Sequence, residues 1–349
     1  MTDVRAAGVP EAVLARLAAS AAAVDAGERD AREGLRLLGT AGLLAPPGVP
    51  GDRLPAAVDL LRAVASVSLA DAFCAWSQTM VVEYLERFPP AGQETAPSTG
   101  LRAGAVPGAT ALAPALTDLA GGPPVPVLAE PAGDGAWRLS GAVPWASNLF
   151  DGAVVVLPAR TAADGRLVVL VRVGEPGVRV RPAGPLLALG GTGTGAVELD
   201  GAVTAAVLGD DLAAFVGACR PVMLLTQAAM ALGVADAALA GAAGRLTGPG
   251  ALLAAEHRAL GAGRDDLAAR LGRLAADPAA EGPTGPAAAR VAVLDLLARA
   301  VHAEGLLTGG TGYRRDHPAA RRRREAAFLP VQAPTELQLR AALAAAAAG

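Results

Sequence analysis

The sequence predicts an α+β fold in which helices come first, an antiparallel β unit follows, and helices then return. From residue 10 to residue 85 apolar residues recur every three or four positions, the period of an amphipathic helix. Between residues 136 and 209 short runs rich in valine and leucine alternate with glycine, proline and aspartate, which is typical of antiparallel strands. After Asp210 the helical period continues almost to the last residue. Segregated elements of this kind predict separate helical and β layers.

Length and composition predict more than one packed unit. With 349 residues, the chain is too long for one ordinary core, and with 52% hydrophobic residues it is too apolar to be disordered. A break at residues 89–100, PPAGQETAPSTG, separates the first helical region from the β region. We therefore predict an N-terminal helical domain over residues 1–100, a middle β domain over residues 101–210 and a C-terminal helical bundle over residues 211–349.

The same patterns predict individual elements. Strands are expected in AWRLSG, GAVVVLPAR, RLVVLVRV, GVRVRPAG and GAVELDGAVTAAVLG, the last as a hairpin that turns at Asp200 and Gly201. Thr335 is the predicted N-cap of the last helix, and Gln338 would complete a capping box with it. The C-terminal helices are expected over residues 212–246, 251–276, 286–308, 318–327 and 335–348.

Charge and cysteine usage argue against several classes of function. The formal net charge of −3 disfavours a nucleic-acid-binding protein, although Arg321 to Arg324 form a local basic run. Cys74 and Cys219 lie far apart without a CxxC pattern, so neither a disulfide framework nor a zinc site is expected. No metal site is expected either, because the histidines show no ligand spacing: His257, His302 and His317.

Hydropathy predicts a cytoplasmic protein. The first residues, MTDVRAAGVPEAVLARL, lack the basic start and apolar core of a signal peptide. Residues 221–244 are strongly apolar, but Gln227 and Asp236 interrupt them and small residues dominate. This segment therefore predicts a buried bundle helix, and no membrane partner is expected.

Two segments of the C-terminal region suit an anionic cofactor. In LLTGGTGY, Gly309, Gly310 and Gly312 allow the backbone to approach a ligand closely and to present N–H groups to an anion. Arg245 begins RLTGPG, and the planar guanidinium group of an arginine binds two phosphate oxygens at once. Taken alone, a helix-ending turn and a solvated arginine are the simpler interpretations.

A third segment, LSGAVPWASN, lies directly before a predicted strand. It brings Trp145, Ser147 and Asn148 together, and Asn148 is the one asparagine of the chain. A buried tryptophan usually belongs to a core, but packing alone does not account for the polar residues that follow it.

Together these segments resemble the acyl-CoA dehydrogenase family over most of the chain. The most specific match is LLTGGTGYRRDHPAARRRREAAFLPVQAPTELQLR, which resembles the family's Gly-Gly-x-Gly-aromatic stretch and the Arg-Asp/Glu-Ala helix that follows. The resemblance implies an N-terminal helical domain, a middle antiparallel β-barrel domain and a C-terminal four-helix bundle around one FAD. It also implies a homo-oligomer, either a dimer or a tetramer, and a partner for electron transfer.

The resemblance implies roles for particular residues. Arg245 would reach the FAD pyrophosphate across a subunit interface. Arg220, on the first bundle helix, matches an arginine at the substrate. The full set of cofactor-binding positions implied in this way is Trp145, Ser147, Asn148, Arg245, Gly309, Gly310, Gly312 and Thr335.

The family's usual catalytic base, the glutamate of Tyr-Glu-Gly-Thr, is replaced in this sequence. The segment QAPT at residues 332–335 stands there, which places Ala333 at the base position, and alanine cannot accept a proton. Cys219 and Glu336 are the remaining candidates for a base, although a cysteine needs a lowered pKa and Glu336 also suits the first turn of its helix. The loop at residues 113–127 departs from the family's Thr-Glu-Pro-x-x-Gly-Ser-Asp as well.

Three functions remain open at the level of sequence. The first is a flavin-dependent oxidoreductase that acts on an acyl thioester, carried by CoA or a carrier protein, or on a related small molecule, with a non-standard or absent α-proton base. The second is a flavin-dependent monooxygenase on the same fold, which needs no such base. The third is a catalytically silent subunit with a structural or partner role. Flavin absorption of the purified protein separates the third from the other two.

Overall fold

The computed structural model describes residues 8–44, 53–90, 96–133, 135–204 and 206–348. The first residues of the N-terminal segment and residues 91–95 of the predicted break lie outside this set. Helices fill the N-terminal region over residues 10–85, as the periodicity predicts: α1 (Glu11–Ala26), α2 (Arg32–Thr40), α3 (Leu54–Val67) and α4 (Leu69–Arg87). A further helix, α5 (Ala96–Arg102), begins inside the predicted break, so that prediction is wrong over residues 96–100. Ser68 caps α4, because its hydroxyl oxygen accepts a hydrogen bond from the N–H of Asp71.

The middle of the chain forms a predominantly antiparallel sheet. Its strand order is β6-β7-β3-β2-β4-β5-β8, and β1 pairs with β4. Two contacts are parallel, β1 with β4 and β2 with β4, and these were not predicted. The elements are β1 (Gly108–Thr110), α6 (Ala113–Leu119), β2 (Leu128–Gly133), β3 (Ala136–Ala146), β4 (Val154–Thr161), β5 (Arg166–Arg172), β6 (Val178–Pro182), β7 (Gly195–Val203) and β8 (Ala206–Gly209).

The predicted hairpin turn at Asp200 and Gly201 is wrong, because both residues lie inside β7. On the neighbouring strand Ser140 pairs with Asp200 and Leu139 with Ala202, so Gly201 is an extra residue in β7. Its φ of +71° shows a β-bulge at a left-handed glycine. An Asp-Gly pair satisfies the backbone demands of a tight turn and of this bulge equally well, which explains the error.

Helices return after the sheet, in agreement with the predicted order. The long helix α7 is buried over 94% of its most apolar window and packs against α3 and α9, so the prediction of a buried bundle helix is confirmed. A 3₁₀ turn at Gly248–Leu253 precedes α8, where one continuous helix was predicted. The helices are α7 (Leu212–Ala243), α8 (Ala254–Ala276), α9 (Gly285–Gly312), α10 (Pro318–Phe328) and α11 (Glu336–Ala348).

The start of α11 has the predicted capping box. The N–H of Thr335 donates to Gln338 Oε1 at 2.8 Å, and the N–H of Gln338 donates to Thr335 Oγ1 at 3.3 Å. This reciprocal pair fixes the chain direction immediately after the segment that stands at the family's base position. The predicted division into three domains stays a prediction.

Candidate functional site

A cavity of about 630 Å³ lies where the sheet meets the helices. Its wall includes the end of β3, the loop at residues 186–189 and helices α4, α6 and α7, together with residues between Arg324 and Gln338. Its volume is within the range of about 300–1,000 Å³ that is usual for small-molecule and cofactor sites. Elements from all three sequence regions therefore converge on one cavity.

The end of β3 supplies an aromatic and hydroxyl-lined wall. Trp145 borders the cavity and remains 57% exposed, which leaves its indole available to a ligand. Ser147 is buried, and its hydroxyl shares a hydrogen bond of 2.6 Å with the hydroxyl of Thr194, another lining residue. Thr194 is held in turn by Thr192, with 2.7 Å between the two hydroxyl oxygens. Two predicted cofactor residues, Trp145 and Ser147, thus lie at the same wall.

Asn148 is fully buried behind this wall and is not among the residues that line the cavity. Its amide nitrogen donates to the carbonyl oxygens of Cys74, at 2.9 Å, and Gly108, at 3.0 Å. Its φ of +61° falls in the left-handed region that asparagine tolerates better than most residues. In these contacts Asn148 ties α4 to β1 and holds the preceding Trp145 segment in place.

The opposite wall contains the position of the missing base. Ala333 and Thr335 both line the cavity. The amide nitrogen of Gln227, on α7, donates to the carbonyl oxygen of Ala333 at 2.9 Å. This hydrogen bond anchors the backbone at residue 333.

A buried arginine holds the same segment from behind. The guanidinium group of Arg290 is 1% exposed and donates to the carbonyl oxygens of Pro334, Gln332 and Leu329, at 2.6, 3.0 and 3.2 Å. Burial lowers the pKa of Arg290 to about 9, so the group remains protonated at neutral pH. A single charged group therefore satisfies three carbonyl oxygens of the segment that carries the lining residues Gln332 and Ala333.

Neither candidate for a replacement base lies at the cavity. Burial raises the pKa of the Cys219 thiol to about 12, with Glu83 contributing in the same direction, and this environment favours the protonated thiol at neutral pH. The carboxylate of Glu336 pairs with Arg340 at 2.7 Å. Among the described residues that line the cavity there is no aspartate, glutamate, histidine or cysteine, and the charged member, Arg324, pairs with Asp25 at 2.7 Å.

The predicted substrate arginine lies away from the lining residues. Arg220 is half-buried on α7, and burial lowers the pKa of its guanidinium group. The described residues offer it neither a hydrogen-bond partner nor an ion-pair partner. Its predicted role in binding substrate stays a prediction.

The other predicted cofactor residues form a second group at the end of the bundle. Arg245 follows α7 and is exposed, and Gly309 and Gly310 are exposed at the end of α9. The two segments pack closely at Gly250, which faces Leu307 of α9. If Gly250 carried a Cβ atom, that atom would lie 2.9 Å from the Leu307 side chain and 2.1 Å from the Arg245 carbonyl oxygen. None of these residues lines the cavity, nor does Gly312, so one copy of the chain holds the predicted cofactor residues in two separate places.

Glu325, the acidic residue of the Arg-Glu-Ala segment on α10, is buried beside Arg321. Glu325 is 2% exposed, and one of its carboxylate oxygens lies 3.6 Å from Arg321 Nε. Burial raises the pKa of Glu325 to about 7, against the lowering effect of Arg321. Burial likewise raises the pKa of Asp71 to about 6.

Glu325→Gln is expected to flatten the pH dependence of stability. A carboxyl group whose pKa is raised by folding binds more protons in the folded state, so the wild-type free energy of unfolding should fall as pH rises from about 4.5 to about 7. In the variant, the fall in the free energy of unfolding between these two pH values should be smaller by about 1–3 kcal/mol, as measured by urea unfolding at each pH. A smaller fall in the free energy of unfolding should remain in the variant below about pH 6, because burial also raises the pKa of Asp71. Equal slopes in Glu325→Gln and in the exposed control Glu256→Gln would contradict this assignment.

Three residues that shape the site were not predicted as site residues: Trp76, Arg290 and Gln332. Trp76 and Gln332 line the cavity, and Arg290 holds its wall. The periodicity of the sequence places Trp76 and Arg290 in helices, but it does not indicate which residues their side chains contact in the folded protein. The described residues contain no group of three or more His, Cys, Asp or Glu side chains that could hold a metal ion.

No protein-family model matches the chain, and no curated protein sequence matches it. Among solved structures, the chain is similar to butyryl-CoA dehydrogenase from Megasphaera elsdenii, at 17% identity and a TM-score of 0.83, over 96% of this chain and 94% of that chain. It is similar to FkbI, described for biosynthesis of the methoxymalonyl extender unit of a polyketide, at 20% identity and a TM-score of 0.81, over 96% and 98% of the two chains.

A third similar structure is KijD3 in complex with FMN and dTDP-3-amino-2,3,6-trideoxy-4-keto-3-methyl-D-glucose. The identity is 23% and the TM-score 0.78, over 97% of this chain and 91% of that chain. The chain therefore has the acyl-CoA dehydrogenase fold, which confirms the predicted fold class.

Proposed function

We propose that this chain is a flavin-dependent oxidoreductase that acts on an acyl thioester or a related small molecule. The observation that carries the proposal is the cavity bordered by the exposed indole of Trp145 and the Ser147–Thr194 hydroxyl pair. Its fold, shared with butyryl-CoA dehydrogenase, supports the same conclusion.

The residues around the cavity fit a flavin ring. The exposed indole of Trp145 offers an aromatic face, and the Ser147 and Thr194 hydroxyl groups offer hydrogen bonds to polar edges of the ring. Thr335 borders the cavity from the helical side. A bound flavin would supply the hydride or electron transfer, while these residues orient it and the apolar lining excludes water. FAD is the cofactor that the resemblance implies, and FMN is the flavin in the KijD3 complex.

The second group of residues would act in a neighbouring copy of the chain. Arg245 is exposed and without a partner among the described residues, and the nearby Gly309 has a non-helical backbone. In a homo-oligomer these groups would bind the FAD pyrophosphate of the adjacent copy, since a guanidinium group and the backbone N–H groups of a glycine-rich segment both suit phosphate oxygens. Exposed apolar side chains surround the same end of the bundle and would become covered: Leu252, Leu306 and Tyr313.

A flavin-dependent monooxygenase is the second candidate. The specific observation that favours it is the absence of a carboxylate among the described lining residues, with Ala333 at the family's base position. Removal of an α-proton from a thioester needs a general base within hydrogen-bond reach, whereas oxygenation by a reduced flavin does not. A cytoplasmic location and an electron-transfer partner remain predictions for either reaction.

The purified protein is expected to bind flavin, and Trp145→Leu is expected to weaken that binding about tenfold because a stacking face is lost. Binding is measured by titrating the flavin-free protein with FAD and with FMN and following flavin fluorescence. Trp137→Leu is the control, since it makes the same change on the same strand away from the cavity lining. A colourless protein that binds neither flavin would reject both enzymatic candidates and leave the silent subunit.

A further inference from the structure

Two polar side chains that line the cavity have side-chain atoms without a hydrogen-bond partner, whereas the other buried or half-buried polar side chains of the lining each make a hydrogen bond. Within the described part of the chain, Trp76 Nε1 and both amide atoms of Gln332 make no hydrogen bond. Trp76 is 6% exposed and Gln332 is 5% exposed, and both line the cavity. The lining side chains that do have partners are Ser77, Thr110, Thr117, Ser147, Thr194, Arg324, Thr335 and Gln338.

The two unpartnered residues belong to one connected wall. The Phe73 ring stacks on Trp76, with centroids 5.5 Å apart, and meets the Phe328 ring edge-on at 4.7 Å. The carbonyl oxygen of Phe328 accepts a hydrogen bond from the Gln332 N–H at 3.1 Å. The ring contacts of Trp76 and the backbone hydrogen bond of Gln332 place both residues on the helical side of the cavity, while Trp145 and Ser147 border it from the sheet.

Leaving such groups unpaired is costly. A buried donor or acceptor without a partner loses about 1–3 kcal/mol relative to water, so native proteins rarely keep one without a reason. Here the residues border a cavity large enough for a ligand, and a ligand can supply what the protein does not. Their chemistry therefore describes the ligand group that belongs beside them.

We infer that the substrate carries an uncharged carboxamide-type group, with a carbonyl oxygen and an N–H side by side, which Gln332 and Trp76 bind. The inference rests on the proposed function for the identity of the site. Trp76 Nε1 and Gln332 Nε2 can only donate, and Gln332 Oε1 can only accept. One carboxamide matches all three, because its oxygen accepts twice and its N–H donates. A charged group fits poorly, since the charged lining residue, Arg324, already pairs with Asp25.

A matched pair of small probes tests this inference. Hexanamide and 2-heptanone have nearly the same shape, but only the amide has an N–H to donate. In the presence of saturating FAD, the wild-type protein should bind hexanamide about fivefold more tightly, as expected for one additional neutral hydrogen bond. The affinities are obtained from ligand-observed NMR titrations. Gln332→Met should abolish the preference, whereas the control Leu116→Met, which changes an apolar lining residue, should retain it.

The ligand-free stability of Gln332→Met gives a second measurement. Methionine removes an unpaired buried amide at similar volume, so the variant should unfold about 1–3 °C above the wild type while it loses the amide preference. Equal affinity for the two probes, no binding of hexanamide, or an unchanged preference in Gln332→Met would overturn the inference. Flavin absorbance in the same samples tests the proposed function separately, because a protein without flavin that still prefers hexanamide rejects only the redox assignment.

Discussion

Replacing Arg290 by methionine is expected to lower the free energy of unfolding by about 3–5 kcal/mol. The guanidinium group donates to the carbonyl oxygens of Leu329, Gln332 and Pro334, and its side chain is 1% exposed. Methionine fills much of the same volume but donates no hydrogen bond, so three carbonyl oxygens would be left without this partner inside the protein. Each unsatisfied carbonyl is costly, and together they exceed the effect of most single substitutions.

Arg299→Met on the same helix is the matched control for this measurement. Arg299 is exposed, and its contact with Glu256 is a surface ion pair at 3.4 Å, which is worth at most about 1 kcal/mol. Urea unfolding monitored by circular dichroism compares the two variants. If Arg290→Met is no less stable than Arg299→Met, the carbonyl oxygens find other partners and Arg290 does not hold the wall. The cavity binding of hexanamide in Arg290→Met then shows whether the segment keeps its position.

The order of helices and strands followed from the sequence because each element has a strong local signal. Hydrophobic periodicity predicted α7, and the Thr335–Gln338 pair predicted the start of α11, since capping depends on residues three positions apart. The Asp200–Gly201 pair led to a wrong prediction of a hairpin turn, because a glycine with positive φ suits a turn and a β-bulge equally. Which of the two forms depends on pairing with the neighbouring strand β3. The parallel pairing of β1 with β4 depends on contacts far apart in sequence and left no local trace.

The site was predicted in part, and the missing part has a common cause. Resemblance to the family implied Trp145, Ser147, Ala333 and Thr335, and the structure brings these four to one cavity. The same resemblance could not reveal which polar atoms would remain unpaired, because satisfaction of a hydrogen bond depends on the folded neighbours and not on the residue type. Asn148 illustrates this, since its amide nitrogen donates to two backbone carbonyl oxygens while its Oδ1 finds no partner among the described residues.

Installing a carboxylate at the base position is expected to change the reaction more than any other substitution. In Ala333→Glu the new side chain would project from a backbone that Gln227 holds at 2.9 Å, on the wall of the cavity. There it could accept the α-proton of a bound acyl thioester. A positioned general base contributes about 10²–10⁴-fold in rate, so anaerobic bleaching of the flavin by butyryl-CoA should accelerate by about that factor over wild type. Stopped-flow absorbance of the flavin-loaded protein measures it.

Ala333→Gln separates the chemistry from the change in shape, because glutamine has the size of glutamate and accepts no proton at neutral pH. Rapid bleaching in Ala333→Glu but not in Ala333→Gln would mean that the cavity presents a thioester α-carbon to residue 333, and that only a base at this position limits the rate at which the wild type is bleached by butyryl-CoA. Equal, slow bleaching in two variants that both hold flavin means that the thioester geometry is gone as well. Since the native lining has no carboxylate among its described residues, that result would count against an acyl thioester as substrate and favour the monooxygenase candidate, which needs no α-proton base.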